Sequence, residues 1–243
     1  MAKSKGRDNA ARQKGGKRNR KVRRRQVYIF AEGKVSEIEY IDLIMESGEW
    51  HRPDRRVDYH FENDTVESKY RKPLPMVRDA VFVLRRVERE AKAAGLDKDE
   101  DWNWPQVWIL FDRDEHQGIA EARKLAEQAG VRVAYSHPCF ELWRLLHYQN
   151  YTSTFGGVCG SANSRLRSQP GFAKTYGKNV RTVSEQQSKH VKPDQVLRGD
   201  RYSTAKKYAQ KINNGHSGPD PNTWDPYTDV WRFVEDGLLL SGY

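Results

Sequence analysis

Apolar residues follow two alternating rhythms along the first part of the chain. Short runs of β-branched and aromatic residues occupy 26–31 (Gln-Val-Tyr-Ile-Phe-Ala), 57–62, 107–111 and 131–135, and their length and composition predict strands. Between them apolar positions recur at spacings of three and four. Ile38, Tyr40, Ile41, Ile44 and Met45 predict a helix over 36–47, and Val77, Val81, Leu84 and Val87 another over 74–95. A third helix, over 119–129, stops at Gly130. The run 107–111 is apolar throughout, as a parallel strand covered on both faces requires, whereas 57–62 alternates. Strand and helix taking turns in this way predict an α/β fold with a mostly parallel sheet flanked by helices.

Local signals sharpen the start of the first helix. Ser36 stands where an N-cap is expected, and Glu39 three residues later completes a capping box. Beyond Pro138, a helix over 140–148 has Phe140, Leu142, Trp143, Leu145 and Leu146 to bury. Residues 150–225 are rich in Gly, Ser, Asn and basic residues, interrupted by a helix over 204–212, and an apolar helix is expected around 229–240. No internal repeat is visible. Three segments follow: a basic arm over 1–25, a core over 26–148, and a mainly helical C-terminal extension over 149–243 that packs on the core.

Charge sets the arm apart. The 243 residues carry a net charge of +10, but residues 1–25 hold twelve Lys and Arg against one acid, Asp8, so the arm carries +11 and leaves −1 for the rest. With almost nothing apolar to bury, the arm is expected to be disordered. A flexible polycation binds polyanions through counterion release, and Arg23, Arg24 and Arg25 would hold that charge next to the first strand, with Lys34 beyond it. No apolar run follows the basic residues, and none in the chain approaches the about twenty residues of a membrane span, so a soluble, cytoplasmic protein is expected. Cys139 and Cys159 form no CxxC pair, which supports neither a disulfide framework nor a structural zinc site.

Two acidic motifs close apolar strands. Glu32-Gly33-Lys34-Val35-Ser36-Glu37 follows the first, and Asp112-Arg113-Asp114-Glu115 follows the run 107–111. Ligand crevices of open α/β sheets lie at the carboxyl ends of the strands, so these carboxylates can meet in space. A group of hard oxygen donors there suits Mg²⁺ or Mn²⁺. Asp112 and Asp114 have an ordinary alternative, capping the helix that follows, and Glu37 fits equally well as a favourable charge near a helix N-terminus.

These residues in sequence, Glu32-Gly33-x-x-Ser36-Glu37-x-x-Tyr40, then Phe111-Asp112-Arg113-Asp114, then Ser136-x-Pro138-x-Phe140-Glu141-x-Trp143-x-x-x-His147, resemble the RloB-like family, whose core is similar to the Toprim domain. Ser36 stands where that family more often has Thr. Toprim domains hold Mg²⁺ with a glutamate after the first strand and an Asp-x-Asp after a later one. The resemblance therefore implies a Toprim-like core with Glu32, Asp112 and Asp114 as metal ligands. It also implies a metal-dependent nuclease, and an ATPase partner in anti-phage, abortive-infection-like defence.

Glu141 lies in an otherwise apolar helix, where an unpaired carboxylate is costly, so a second metal site or an ion pair is expected there. His147 is read as a hydrogen-bonded core histidine, and His116 and His137 as ordinary exposed ones. Among the later lysines, Lys174, Lys178, Lys189 and Lys192, Lys178 in Tyr176-Gly177-Lys178 is the first candidate to supply transition-state charge. The expectation is an endonuclease acting on nucleic acid, RNA such as tRNA favoured. A DNA endonuclease of a restriction-linked system and a non-catalytic nucleic-acid-binding subunit of an ATPase complex are the alternatives.

Overall fold

The computed structural model describes residues 23–113, 116–218 and 220–243, so Asp114 and residues 1–22 of the basic arm lie outside the described residues. The chain opens with strand β1 (Arg24–Ala31), helix α1 (Ser36–Ser47), a short strand β2 (Glu49–Trp50) and strand β3 (Arg56–Phe61). Helix α2 (Pro73–Ala93), strand β4 (Gln106–Asp112), helix α3 (Ile119–Ala129), strand β5 (Arg132–His137) and helix α4 (Phe140–Leu146) follow. β1 starts two residues before the expected strand because Arg24 and Arg25 pair with Arg56 and Val57 of β3, so these two arginines belong to the sheet and not to the arm.

The sheet has five strands in the order β3-β1-β4-β5-β6, where β6 is Tyr227–Thr228. The first four run parallel, and β6 adds an antiparallel edge through Ser136↔Thr228 and His137↔Tyr227. Period-two alternation divides each inner strand between two cores. Val27 and Ile29 of β1, with Trp108 and Leu110 of β4, join Tyr40, Ile41 and Ile44 of α1 on one face. Phe30, Val107, Ile109 and Phe111 join Met76, Val77 and Leu84 of α2 and Ala122 and Ala126 of α3 on the other. The expected mostly parallel sheet flanked by helices is the architecture observed. Gly130 ends α3 at φ +83°, where its backbone N–H returns to the carbonyls of Ala126 and Glu127.

The C-terminal part is built from helices α5 (Cys159–Arg167), α6 (Glu185–Ser188), α7 (Pro193–Val196) and α8 (Arg201–Asn214) before β6, then α9 (Val230–Arg232) and strand β7 (Leu240–Gly242). It shares the α1/α4 core: Ala162, Leu166, Tyr202, Ala205, Phe233 and Leu238 pack with Trp143 and Ile41. Instead of one helix over 229–240, the chain makes α9, a π-helical turn over Phe233–Gly237, and β7 paired antiparallel with β2. Gly237 explains the break, since a Cβ there would lie 2.9 Å from Phe233 Cδ2 and 3.0 Å from the Trp108 ring, so this segment approaches the sheet too closely for a regular helix face. The extension therefore completes the sheet as well as packing on it. Among the described residues no helix is long and apolar enough to cross a membrane.

Asp229 fastens β6 to β5. Its buried carboxylate accepts the Tyr135 backbone N–H at 2.7 Å and the Tyr227 hydroxyl at 3.0 Å. Asp229→Ala leaves the Tyr135 N–H buried without an acceptor and is expected to cost about 1–3 kcal/mol, read as a lower urea midpoint at unchanged m. Asp229→Asn, which keeps an acceptor oxygen, is expected to lose less.

Candidate metal centre

β1 and β4 are hydrogen-bonded neighbours, with Ala31 opposite Leu110, so the residues that follow them reach the same edge of the sheet. The Glu32 backbone N–H donates to Leu110 O at 3.0 Å, and the Asp112 backbone N–H donates to Glu32 Oε2 at 3.0 Å. Glu32 and Asp112, eighty residues apart in sequence, are thereby fixed side by side. Glu37 and Glu141 join them in a cleft of about 970 Å³.

The Glu-Gly turn is shaped around Glu37. Glu37 Oε1 accepts the Gly33 N–H at 3.0 Å, and a Cβ at Gly33 would fall 2.0 Å from Glu37 Oε2, so any larger residue there would push the Glu37 carboxylate from its place. Buried Arg71 supports the turn from below, donating to Ala31 O, Gly33 O, Asp64 O and Val66 O. Ser36 is the first residue of α1 and not its cap. The cap position is Val35, and Ser36 Oγ instead donates to Lys189 O at 2.9 Å while lying 3.4 Å from Glu141 Oε1. Glu39 likewise forms no capping box; it accepts from the Val191 N–H at 2.8 Å and pairs with His190 Nδ1 at 2.7 Å. Both residues of the expected box thus tie α1 to the segment that walls the cleft.

α4 is buried along its whole length. Its Phe140 N–H reaches the Asp112 carboxylate, so Asp112 interacts with α4, while α3 begins at Gly118 with no side-chain cap. Arg144, one turn after Glu141 and 3.9 Å from it, donates to Ser188 O at 2.7 Å and to Gln195 Oε1 at 2.9 Å. The ion pair expected for Glu141 is present in this long form, and the same arginine holds the 188–195 segment against the cleft. A basic residue three positions after Glu141 in an apolar helix was the sequence signal for this role.

Other expectations fare differently. Lys178 is exposed and does not line the cleft; the lysines at its rim are Lys189 and Lys34, both exposed. His116 is not a solitary surface residue: its Nε2 is hydrogen-bonded to Glu32 Oε1. His137 is buried, and desolvation together with Arg113 lowers its pKa. His147 is the core histidine expected, bonded to Trp143 O and the Tyr243 hydroxyl at 2.9 Å each, with burial pushing its pKa down to about 3.

Arg23, Arg24 and Arg25 sit at the opposite edge of the sheet, since β1 runs from them to the cleft over roughly 23 Å of strand. Each has a protein partner: Arg23 pairs with Asp101 at 2.8 Å and Arg24 with Asp58 at 2.7 Å, while Arg25 donates to Trp102 O and Asp236 O at 3.0 Å each. The two cysteines, which the sequence left unpaired, form a disulfide beside the cleft.

Two carboxyls of the cleft are strongly perturbed. Desolvation, and then the charges of Glu32, Glu37 and Glu141, raise the Asp112 carboxyl well above its usual range. Burial and Glu141 push Glu37 up to about 7. Carboxylates that resist ionisation in one another's company are stabilised by a divalent cation, and an all-oxygen donor set selects a hard one. Glu32 and Asp112 would hold it, with Glu37 and Glu141 within the same cleft.

The raised carboxyls have a sign. Below pH 4.5, the ordinary value for Glu37, both folded and unfolded chains carry the proton; between 4.5 and about 7 the unfolded chain releases it first. The metal-free wild type is therefore expected to lose melting temperature relative to a Glu37→Gln variant as pH rises from 4.5 to 7, the comparison cancelling the opposite contribution of His137 and His147, whose lowered pKa values favour the fold as pH rises. Saturating Mg²⁺ is expected to flatten or reverse this trend, because it binds the ionised folded state. A metal-free wild type whose melting temperature gains on the Glu37→Gln variant over the window would contradict the cleft electrostatics.

No curated protein and no solved structure matches the chain. A family model described as RloB-like protein matches residues 27–236, a span that runs from within β1 to beyond β6 and includes Glu32, Glu37, Asp112 and Glu141 of the cleft, and the chain belongs to the RloB-like family.

Proposed function

We propose that this protein is a Toprim-type, Mg²⁺- or Mn²⁺-dependent endonuclease that hydrolyses phosphodiester bonds of nucleic acid, with RNA, including tRNA, as the favoured substrate. The observation that carries the reading is the convergence of Glu32, Glu37, Asp112 and Glu141 at the carboxyl edge of β1 and β4, beneath a rim bearing Lys34 and Lys189. An acidic floor with a basic rim suits a phosphate chain: the rim cations attract the backbone, while the floor requires a metal before a phosphate can approach. A divalent cation, when bound, supplies charge stabilisation for the non-bridging oxygens and lowers the pKa of water.

The chain's own groups supply the remainder. Glu32 and Asp112 are the ligand carboxylates. Glu37, poised at about 7, is suited to accept a proton from the attacking water near neutral pH. His116, bonded to Glu32, orients that carboxylate and can pass a proton to solvent. The ATPase partner and the role in anti-phage defence belong to this proposal by analogy with the family resemblance.

The decisive experiment incubates purified protein with total RNA and with plasmid DNA, with Mg²⁺, Mn²⁺ or chelator. Metal-dependent cleavage is expected, with RNA cut in preference to DNA. Asp112→Asn and Glu32→Gln are each expected to lower the cleavage rate by at least about 100-fold, the scale of losing a principal electrostatic contribution, while melting temperature is unchanged or higher because carboxylate repulsion is relieved. Cleavage at the wild-type rate in both variants would place the chemistry elsewhere. Salt-sensitive binding without cleavage under any metal would favour the non-catalytic binding subunit.

Arm and cleft are separable in the same assay. Residues 1–22 hold nine Lys and Arg and end just before β1. Deleting them is expected to flatten the slope of log affinity against log salt by about 0.7–0.9 for each phosphate that the arm neutralises, while Mg²⁺ binding is retained. Superimposable slopes would show that the arm does not touch phosphates.

A further inference from the structure

Next to the all-oxygen floor stands a second donor group of different chemistry. Cys139 immediately precedes α4, Glu141 lies in the first turn of α4, and Cys159 is the first residue of α5. One donor atom from each lies within 4.8 Å of the others, and Cys159 Sγ is 3.6 Å from Glu141 Oε2. Cys139 and Glu141 are buried and Cys159 half-buried; Glu141 and Cys159 line the cleft. The disulfide occupies both sulfurs, so the site and the disulfide exclude each other.

We propose that in the reduced protein Cys139, Cys159 and Glu141 form a binding site for a thiophilic divalent cation of the Zn²⁺ class, so that the disulfide and the metal are alternative states of one sulfur pair. The chemistry balances in two steps. A dithiol reductant delivers two electrons and two protons to the S–S bond, giving two thiols and its own cyclic disulfide. The cation then displaces the two thiol protons, and two thiolates and one carboxylate oxygen ligate it. Two sulfurs and one oxygen from residues already held together leave a fourth, tetrahedral position facing the cleft, open to water.

Ligand softness separates this site from its neighbour. Thiolates select Zn²⁺ over Mg²⁺, whereas Glu32 and Asp112 offer only hard oxygen. Glu141 stands between them, with Oε2 towards Cys159 and Oε1 towards Ser36 and Arg144. The inference does not rest on nuclease activity, because binding of the cation is read directly.

The test uses the full chain, reduced with a dithiol that is then removed anaerobically, and titrated with Co²⁺ as a spectroscopic probe. A sulfur-to-cobalt charge-transfer band is expected to saturate at one equivalent and to be displaced by Zn²⁺ but not by excess Mg²⁺. Cys159→Ser and Cys139→Ser are each expected to halve the band or abolish it and to weaken binding by more than about 100-fold, since loss of an outer-shell partner alone costs about 10–100-fold. Glu141→Gln should keep the band while weakening affinity. Asp112→Asn, which removes a carboxylate of the hard site but no ligand atom of this one, should leave the band in place and weaken affinity less than Glu141→Gln does. Circular dichroism of each variant identifies any that fail to fold, and the Glu141→Gln and Asp112→Asn pair decides the matter if the cysteine variants do. The proposal is overturned if dithiol releases no titratable thiols from the folded protein, if the reduced protein shows no band, or if the band survives either cysteine substitution undiminished. Loss of nuclease activity in any of these proteins leaves the cobalt readout unaffected, so failure of one reading is not failure of the other.

Discussion

Like charges held together at the end of a sheet are the constraint around which this molecule is arranged. Glu32, Glu37, Asp112 and Glu141 share one cleft, and burial, reinforced by their mutual repulsion, raises Asp112 and Glu37 above ordinary carboxyls. Such a group persists only if its backbone is over-determined. Here the β1–β4 register places Glu32 against Asp112, the Gly33 N–H holds Glu37, the Phe140 N–H meets Asp112, and Arg71 locks the carbonyls behind the turn. Carboxylate oxygens keep lone pairs beyond these bonds, as the proposed cation would need.

The supporting residues also link distant parts of the chain. Arg144 places a charge in the interior of α4, where it is satisfied by carbonyls of a segment more than forty residues later. Ser36 and Glu39 of α1 hold that same segment from the other side through Lys189 O and the Val191 N–H. Two helices from the first part of the chain thus grip one loop from the second, and the grip forms the cleft wall. A buried guanidinium bonded to backbone carbonyls is costly to remove, because its loss leaves several acceptors dry at once.

Much of this was legible in the sequence, for reasons that can be named. The strands 107–111 and 26–31 announced themselves by near-continuous apolar runs, as buried parallel strands require, and the Glu and Asp motifs stood out because both follow such runs, where ligand crevices of α/β sheets lie. Helix 140–148 was visible from Phe140, Leu142 and Trp143. The tertiary roles of polar residues were not visible. Ser36 and Glu39 satisfied a local capping pattern that the fold overrode for partners over 150 residues away, and nothing local separates Lys178 from Lys189. Cys139 and Cys159, twenty positions apart, carry no spacing that reveals their pairing. The helix expected over 229–240 failed because periodicity counts apolar residues and does not register that Gly237 must pass against Trp108.

The way the extension is woven into the sheet bears on the order of events during synthesis. A ribosome releases β1, α1 and β4 with their carboxylates long before residues 185–190 can form the wall, and the antiparallel edge waits for Tyr227 and Thr228. Joining these distant segments is a matter of long loops, which are slow to close. A nascent chain that already carries Glu32, Glu37, Asp112 and Glu141 therefore still lacks the cleft wall until residues 185–190 have emerged. The four carboxylates are thus made before the wall that encloses them, and the finished centre exists only once the two parts of the chain have met.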